Sequence, residues 1–254
     1  CVVRSLRRGS RGGGLLQQRQ RQRRHSRRFG LRPGDTRRAQ LFDHLDIMRL
    51  TEKIGDGLGH NGSMSVPSIA DQIAQTAARL VVEEGLEWGP AKRRAVRQLG
   101  LPQRTPLPDN DRVEAAVREY IELFCADTQP QELRALRELA VVWMVRMAPF
   151  RPYLAGAVWR GTATRLSDIY IQMFCDDPKS AEIALIDHNV QYDVTQVTGF
   201  HGETVDALSI SSFCKPLNEA VGVHLMVYDF DDLRGALKPD GQGRTARGEV
   251  TALR

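Results

Sequence analysis

The chain of 254 residues carries 36 Lys and Arg against 31 Asp and Glu, a formal net charge of +5, with 41% hydrophobic residues. That length can bury a core for one large or two modest domains. No stretch approaches the roughly 20 apolar residues that would span a bilayer, and the four cysteines show no paired spacing, which excludes a membrane span and a disulfide framework.

The charge is unevenly placed. Residues 1–63 hold 15 Lys and Arg against 5 Asp and Glu, a net of +10, whereas residues 64–254 hold 21 against 26, a net of −5. The basic leader, with RQRQRRHSRR at its centre, has almost nothing to bury. Clustered arginines of this kind neutralise phosphates in nucleic-acid-binding arms. The plainer expectation is a disordered tail, or upstream sequence read from an open frame with Met64 or Met48 as the start. The leader has charge but no apolar run to follow it, so no secretory signal is visible. The rest reads as a cytoplasmic, mildly acidic body in which nucleic acid is not an expected partner.

In chain order, Ser68 with Asp71 three residues on is a capping signal. Ile69, Ile73, Ala77, Leu80 and Val81 then share one helical face, and Gly85 ends the helix. Gly89-Pro90 opens a second, short helix bearing Lys92, Arg93, Arg94 and Arg97, a basic face read as solvated. Leu101–Asn110 is a proline-rich linker, after which Asp111 and Glu114 resemble a capping box. Val113, Val117, Tyr120, Ile121, Phe124 and Cys125 form the next apolar stripe. A further helix follows Thr128, with Leu133, Leu136, Ala140, Trp143 and Met147 at heptad-like intervals and Pro149 as its stop. These two long helices are expected to pack antiparallel, with the Trp–Met stripe as core.

From about residue 153 the pattern changes to short strands. Ala155–Trp159, Asp168–Phe174, Tyr192–Val197, Thr204–Phe213 and Val221–Tyr228 all read as β. A helix capped by Asp177, with Pro178 in its first turn, spans Lys179 to His188. The expectation is an α+β protein: a helical region over 64–150, a mixed sheet of about five strands with flanking helices over 151–236, and a tail over 237–254.

Chemistry is concentrated in GAVWRGTATRLSDIY, residues 156–170. Strand alternation puts Asp168, Tyr170, Gln172 and Phe174 on one face. Two-metal nucleotidyl transfer needs carboxylates converging on hard cations, which Asp-x-Asp on a strand supplies. Here the second position is Tyr170, a poor Mg²⁺ ligand at neutral pH.

The stretch resembles small nucleotidyltransferase domains, in which a strand ending in Gly-Ser is followed by Arg-Gly and then by Ser-Asp-Ile-Asp. Gly156-Ala157, Arg160-Gly161 and Ser167-Asp168-Ile169 stand at those places. The resemblance covers about residues 150–215 and implies nucleotide binding through Gly156, Arg160, Gly161 and Ser167. It also implies an Mg²⁺ held by Asp168 and by a later carboxylate, with Asp206 as first candidate and Asp193 as second. Ala157 and Tyr170 depart from the pattern, removing a phosphate-binding hydroxyl and one metal ligand.

A second resemblance covers nearly the whole body. LPDNDRVEAAVREYIELFCADTQP, CDDPKSAEIALID and DDLRGALKP are similar to short proteobacterial proteins often labelled UDP-N-acetylmuramate–L-alanine ligase. Such a ligase needs a phosphate loop of glycines followed by Lys and Ser or Thr. None of the five lysines follows a glycine, and the chain is short for the three domains such ligases use.

His188, His201 and His224 show no metal-ligand spacing, and His224, alternating with Gly222, Met226 and Tyr228, reads as a satisfied strand histidine. Asp229, Asp231 and Asp232 read as a helix N-cap or a cation site. Three functional readings stay open: a nucleotide-binding or regulatory protein on a nucleotidyltransferase-like fold, an active transferase with fewer carboxylates, and a protein-interaction module acting through the helical region.

Overall fold

A computed structural model describes residues 67–199, 202–239 and 243–253. The basic leader, Cys1, the start candidates Met48 and Met64, and His201 lie outside the described residues.

Three helices come first. α1 (Ile69–Glu84) begins at a full capping box between Ser68 and Asp71, and Gly85, at φ 69°, closes it. α2 (Trp88–Gln98) follows within three residues. α3 (Asn110–Phe124) is capped by Asp109, whose carboxylate accepts from the Arg112 amide. The capping box expected at Asp111 and Glu114 is therefore not the one used. Glu114 is only 5% exposed and is spent elsewhere.

The stripes of these helices interlock in a core of their own, built from Ile73, Ala77 and Leu80, Ala91 and Ala95, and Val113, Val117 and Ile121. Ile69 stays largely exposed, so the buried face of α1 is rotated toward Ala74 and Ala78. On α2 the basic face is partly engaged: Lys92 donates to the Pro108 carbonyl and the Asn110 side chain, and Arg94 pairs with Glu84.

α4 (Gln129–Arg146) does not pack on α3 as a helical pair. Its Leu136, Ala140, Trp143 and Met144, with Met147 at its C-cap, enter the core under the sheet. A stripe at helical spacing reports that one face is buried and is silent on the partner. The partner here is the sheet, and Trp143 anchors the contact by donating to Ser212 Oγ at 3.0 Å.

The sheet has six strands in the order β3-β4-β5-β2-β1-β6. These are β1 (Tyr153–Ala155), β2 (Ile169–Cys175), β3 (Asp193–Thr198), β4 (Thr204–Cys214), β5 (Glu219–Asp229) and β6 (Arg247–Gly248). Only β2 and β5 run parallel; every other neighbour is antiparallel. β2 is buried along most of its length, whereas β5 alternates buried and half-buried residues, as a strand with one face fully covered does. α6 in chain order is preceded by a short α5 (Gly156–Arg160); α6 itself is Pro178–Asp187, capped by Asp177 as expected.

One face of the sheet is covered by α4 and α6, over Ile169, Ile171 and Met173 of β2 and Val221, Val223, Leu225 and Val227 of β5. The other face is covered only at one end, where Tyr153, Phe174, Val205 and Tyr228 form a small second core with Leu233 and Ala236. The remainder of that second face is more open, and it carries the polar residues considered below.

Two sequence expectations fail in the sheet. Residues 156–160 are a helical turn, not strand, because Gly156 (φ 70°) and Gly161 (φ 81°) bracket it with left-handed residues. A short apolar run such as AVW does not distinguish the two conformations. The tail also supplies β6, whose Gly248 lies under Trp159 while the indole donates to Thr245 O at 2.8 Å. Asp229 does cap, accepting from the Asp231 amide at the start of the 3-10 turn Phe230–Asp232.

Candidate functional site

The β2–β5 register places Ile169 beside Val223, and so Asp168 beside Gly222. Asp168 Oδ1 accepts from the Gly222 amide at 3.1 Å, and Oδ2 lies 3.2 Å from His224 Nε2. On the other side of His224, across the β4–β5 ladder, Ser209 is its direct neighbour, with Oγ 2.9 Å from Nδ1. Three adjacent strands thus present Asp168, His224 and Ser209 on one face, hydrogen-bonded end to end.

The proton positions follow from chemistry. An ionised carboxylate only accepts, so the hydrogen bond to Asp168 requires a proton on Nε2. In the neutral imidazole Nδ1 is then bare and accepts from the Ser209 hydroxyl. The bond from His224, with the Gly222 amide adding to it, holds the Asp168 carboxyl below its ordinary range against the opposing effect of partial burial. His224 is satisfied at both nitrogens, as expected of a strand histidine, but its partners make it the centre of the site. Ser209 escaped sequence reasoning because SISS carries no motif. Only the strand register brings it to His224.

Gly222 is required for this arrangement. A Cβ there would lie 2.5 Å from Asp168 Oδ1 and 2.7 Å from its Cγ, too close for any side chain. Gly222→Ala is expected to swing Asp168 away and release the imidazole from its fixed tautomer. Imidazole ¹⁵N chemical shifts would read this; an unchanged Nε2–H form in the variant would contradict it.

Tyr170 follows Asp168 on the same face of β2. Its ring stacks on His224, centroids 4.9 Å apart at 24°, and lies against Gly156, where an added Cβ would be 3.4 Å from the ring. Its hydroxyl donates to Glu87 at the start of α2, and burial, aided by that carboxylate, pushes the phenol well up, so it stays neutral. The tyrosine fills room that Gly156 leaves open.

The other residues singled out in the sequence serve the fold. Arg160 turns to the helical layer, where its guanidinium sits 4.8 Å from the Trp88 ring centroid and 3.5 Å from Glu114 Oε2. Ser167 Oγ accepts from the Thr164 amide and closes the turn before β2. Gly161 ends α5 in the left-handed region, its carbonyl held by Gln129.

The carbonyls following β1 are held by side chains. Gln129 donates to Gly161 O and Ala163 O, Arg137 to Val158 O and Trp159 O, and Arg118 to Arg160 O. This clamp fixes the connection that delivers Asp168.

Asp206 is not brought to Asp168. Its cross-strand partner on β5 is Val227, five residues beyond Gly222, a displacement of about 16 Å along the strand. Cross-strand partners share a face, and Val227 belongs to the core under α4 and α6, whereas Asp168 stands on the face of His224 and Tyr228. The two carboxylates leave opposite sides of the sheet, so the expected metal pair does not form. Asp193, the second candidate, pairs with Ser209 and lies on the Asp168 face, two strands beyond β5. Among the described residues no group of three or more His, Cys, Asp or Glu is gathered as a metal site. Nor, among them, is any helix long and apolar enough to cross a membrane. The three described cysteines are free thiols, Cys214 buried and Cys125 and Cys175 half-buried.

No family model matches the chain, and no curated protein is similar to it.

Proposed function

We propose that this chain is a binding or regulatory protein on a nucleotidyltransferase-like framework, one that has given up metal-dependent transfer. The observation that carries the reading is the engagement of Asp168: each of its oxygens accepts a hydrogen bond, one from the Gly222 amide and one from His224. A carboxylate so held, with Asp206 on the opposite face and a neutral phenol at position 170, does not present the anionic cluster that Mg²⁺ requires. Arg160 and Ser167 support the loss of transfer alone, since their polar groups are committed to Glu114 and to the Thr164 amide. The ligand is a nucleotide or other small molecule approaching the open face.

Calorimetric titration with ATP and with UTP, each with and without Mg²⁺, tests this. Any affinity is expected to be the same with and without the metal, and incubation with labelled nucleotide is expected to give no labelled product. Magnesium-dependent binding lost in Asp168→Ala, or transfer of label, would overturn it.

A further inference from the structure

We propose that Ser209 is an activated nucleophile and that the open sheet face carries a slow ester-cleaving activity. The row Asp168–His224–Ser209 has the three parts that nucleophilic catalysis by serine requires: a hydroxyl, a base within hydrogen-bond reach, and a carboxylate that orients the base. Distances of 2.9 Å and 3.2 Å put each pair in reach. The roles of the ring nitrogens are exchanged relative to the usual serine-hydrolase arrangement, with Nδ1 facing the serine and Nε2 the acid, and the chemistry is unaffected by that exchange. The imidazole is kept from turning by the stacked Tyr170 ring, and Asp168 is kept from turning by the Gly222 amide. Ser209, His224 and Asp168 are all partly open to solvent. Gly222 and Ser211, opposite each other on the same face, leave small groups beside the serine.

The reaction balances without a co-reactant other than water. Ser209 Oγ forms a bond to the ester carbonyl carbon while its proton passes to Nδ1, and Asp168 stabilises the resulting imidazolium. Collapse of the tetrahedral intermediate breaks the bond to the leaving alkoxide or phenoxide, which takes the proton from Nδ1. Water then gives a proton to Nδ1 and bonds to the acyl carbon, the bond from that carbon to Ser209 Oγ breaks, and Oγ takes the proton back from Nδ1, releasing the carboxylic acid and restoring the hydroxyl.

The Gly222 amide, spent on Asp168, is not available to an oxyanion. The acceleration is therefore that of a positioned base, on the order of 10²–10⁴-fold, and activated esters are the substrates of choice. Asp193 beside Ser209 and Glu87 beyond Tyr170 add negative charge to this face, so neutral or cationic esters are preferred over anionic ones.

A fluorophosphonate probe on the full chain tests the inference, because attack by Ser209 on phosphorus expels fluoride and leaves a stable adduct. One adduct is expected, mapped by mass spectrometry to the peptide containing residue 209. It should be lost in Ser209→Ala, fall at least tenfold in His224→Gln, and persist in Ser211→Ala. Cleavage of p-nitrophenyl acetate should fall to the solution rate in the first of these variants. No adduct on the wild-type chain, or an adduct on another residue, overturns the proposal. Mapping on the wild-type chain decides the matter even if Ser209→Ala does not fold. This outcome is independent of the nucleotide titrations, which concern metal and phosphate.

Discussion

Replacing Leu136 with alanine is expected to lower the unfolding free energy by about 2–5 kcal/mol, the range for removing a buried leucine side chain from a core that only partly collapses. Leu136 is fully buried on α4, against the sheet and not against another long helix. The position of the effect is as informative as its size. Native-state hydrogen exchange should show the amides of β2 and β5 losing protection, with those of α1 and α3 losing less. Equal loss in α1 and α3 would mean that α4 stabilises the helical layer as much as the sheet, contrary to the packing described above. Urea denaturation gives the magnitude, and a change under 1 kcal/mol would count against the burial itself.

Glu114→Ala should produce the second large effect, a loss of about 2 kcal/mol. Breaking a fully buried ion pair costs roughly 3–5 kcal/mol, and the exposure of the guanidinium partners reduces that. Glu114 is buried, and Arg118 reaches it at 2.7 Å, Arg160 at 3.5 Å and Arg244 at 3.8 Å. Those arginines come from α3, α5 and the segment before β6, so one carboxylate ties the helical layer to the connection that precedes the site. Glu114→Gln keeps the shape and part of the hydrogen bonding and should recover about half of the loss. A Glu114→Ala variant as stable as wild type to urea would show that the three arginines are satisfied by solvent.

Much of the local structure was legible from residue types. Ser68, Gly85 and Asp177 read as helix caps or stops and each serves as one, and of the two readings open for Asp229 the structure shows the cap. Four of the expected strands appear with ends shifted by a residue or two. What could not be read was which surfaces meet. Glu114 has the position and type of a capping residue in the sequence, and only the approach of Arg160 and Arg244 from distant segments, beside Arg118 of its own helix, explains its burial. The Asp206 expectation failed for a similar reason: strand alternation puts Asp206 on the face of Leu208 and Ile210, and the sequence does not say that this face is the reverse of the one Asp168 uses. Ser209 meets His224 through a hairpin register set by pairing across 15 residues. A β-bridge of that kind leaves no trace in spacing, so the centre of the candidate site emerged only with the sheet.

The clamp on the 158–163 connection bears on which substitutions the chain tolerates. Gln129, Arg137 and Arg118 grip main-chain oxygens, and every amino acid supplies the same oxygen. The side chains of that stretch are nonetheless held on their own account: Val158, Thr162 and Ala163 are buried, Trp159 packs on Gly248, Arg160 pairs with Glu114, and Gly161 is left-handed. The three gripping residues are restricted for a different reason, because a shorter or differently branched replacement would leave carbonyls without donors. Tolerance should therefore be low both in the connection and on the helices that hold it, and a substitution in either is expected to shift the start of β2.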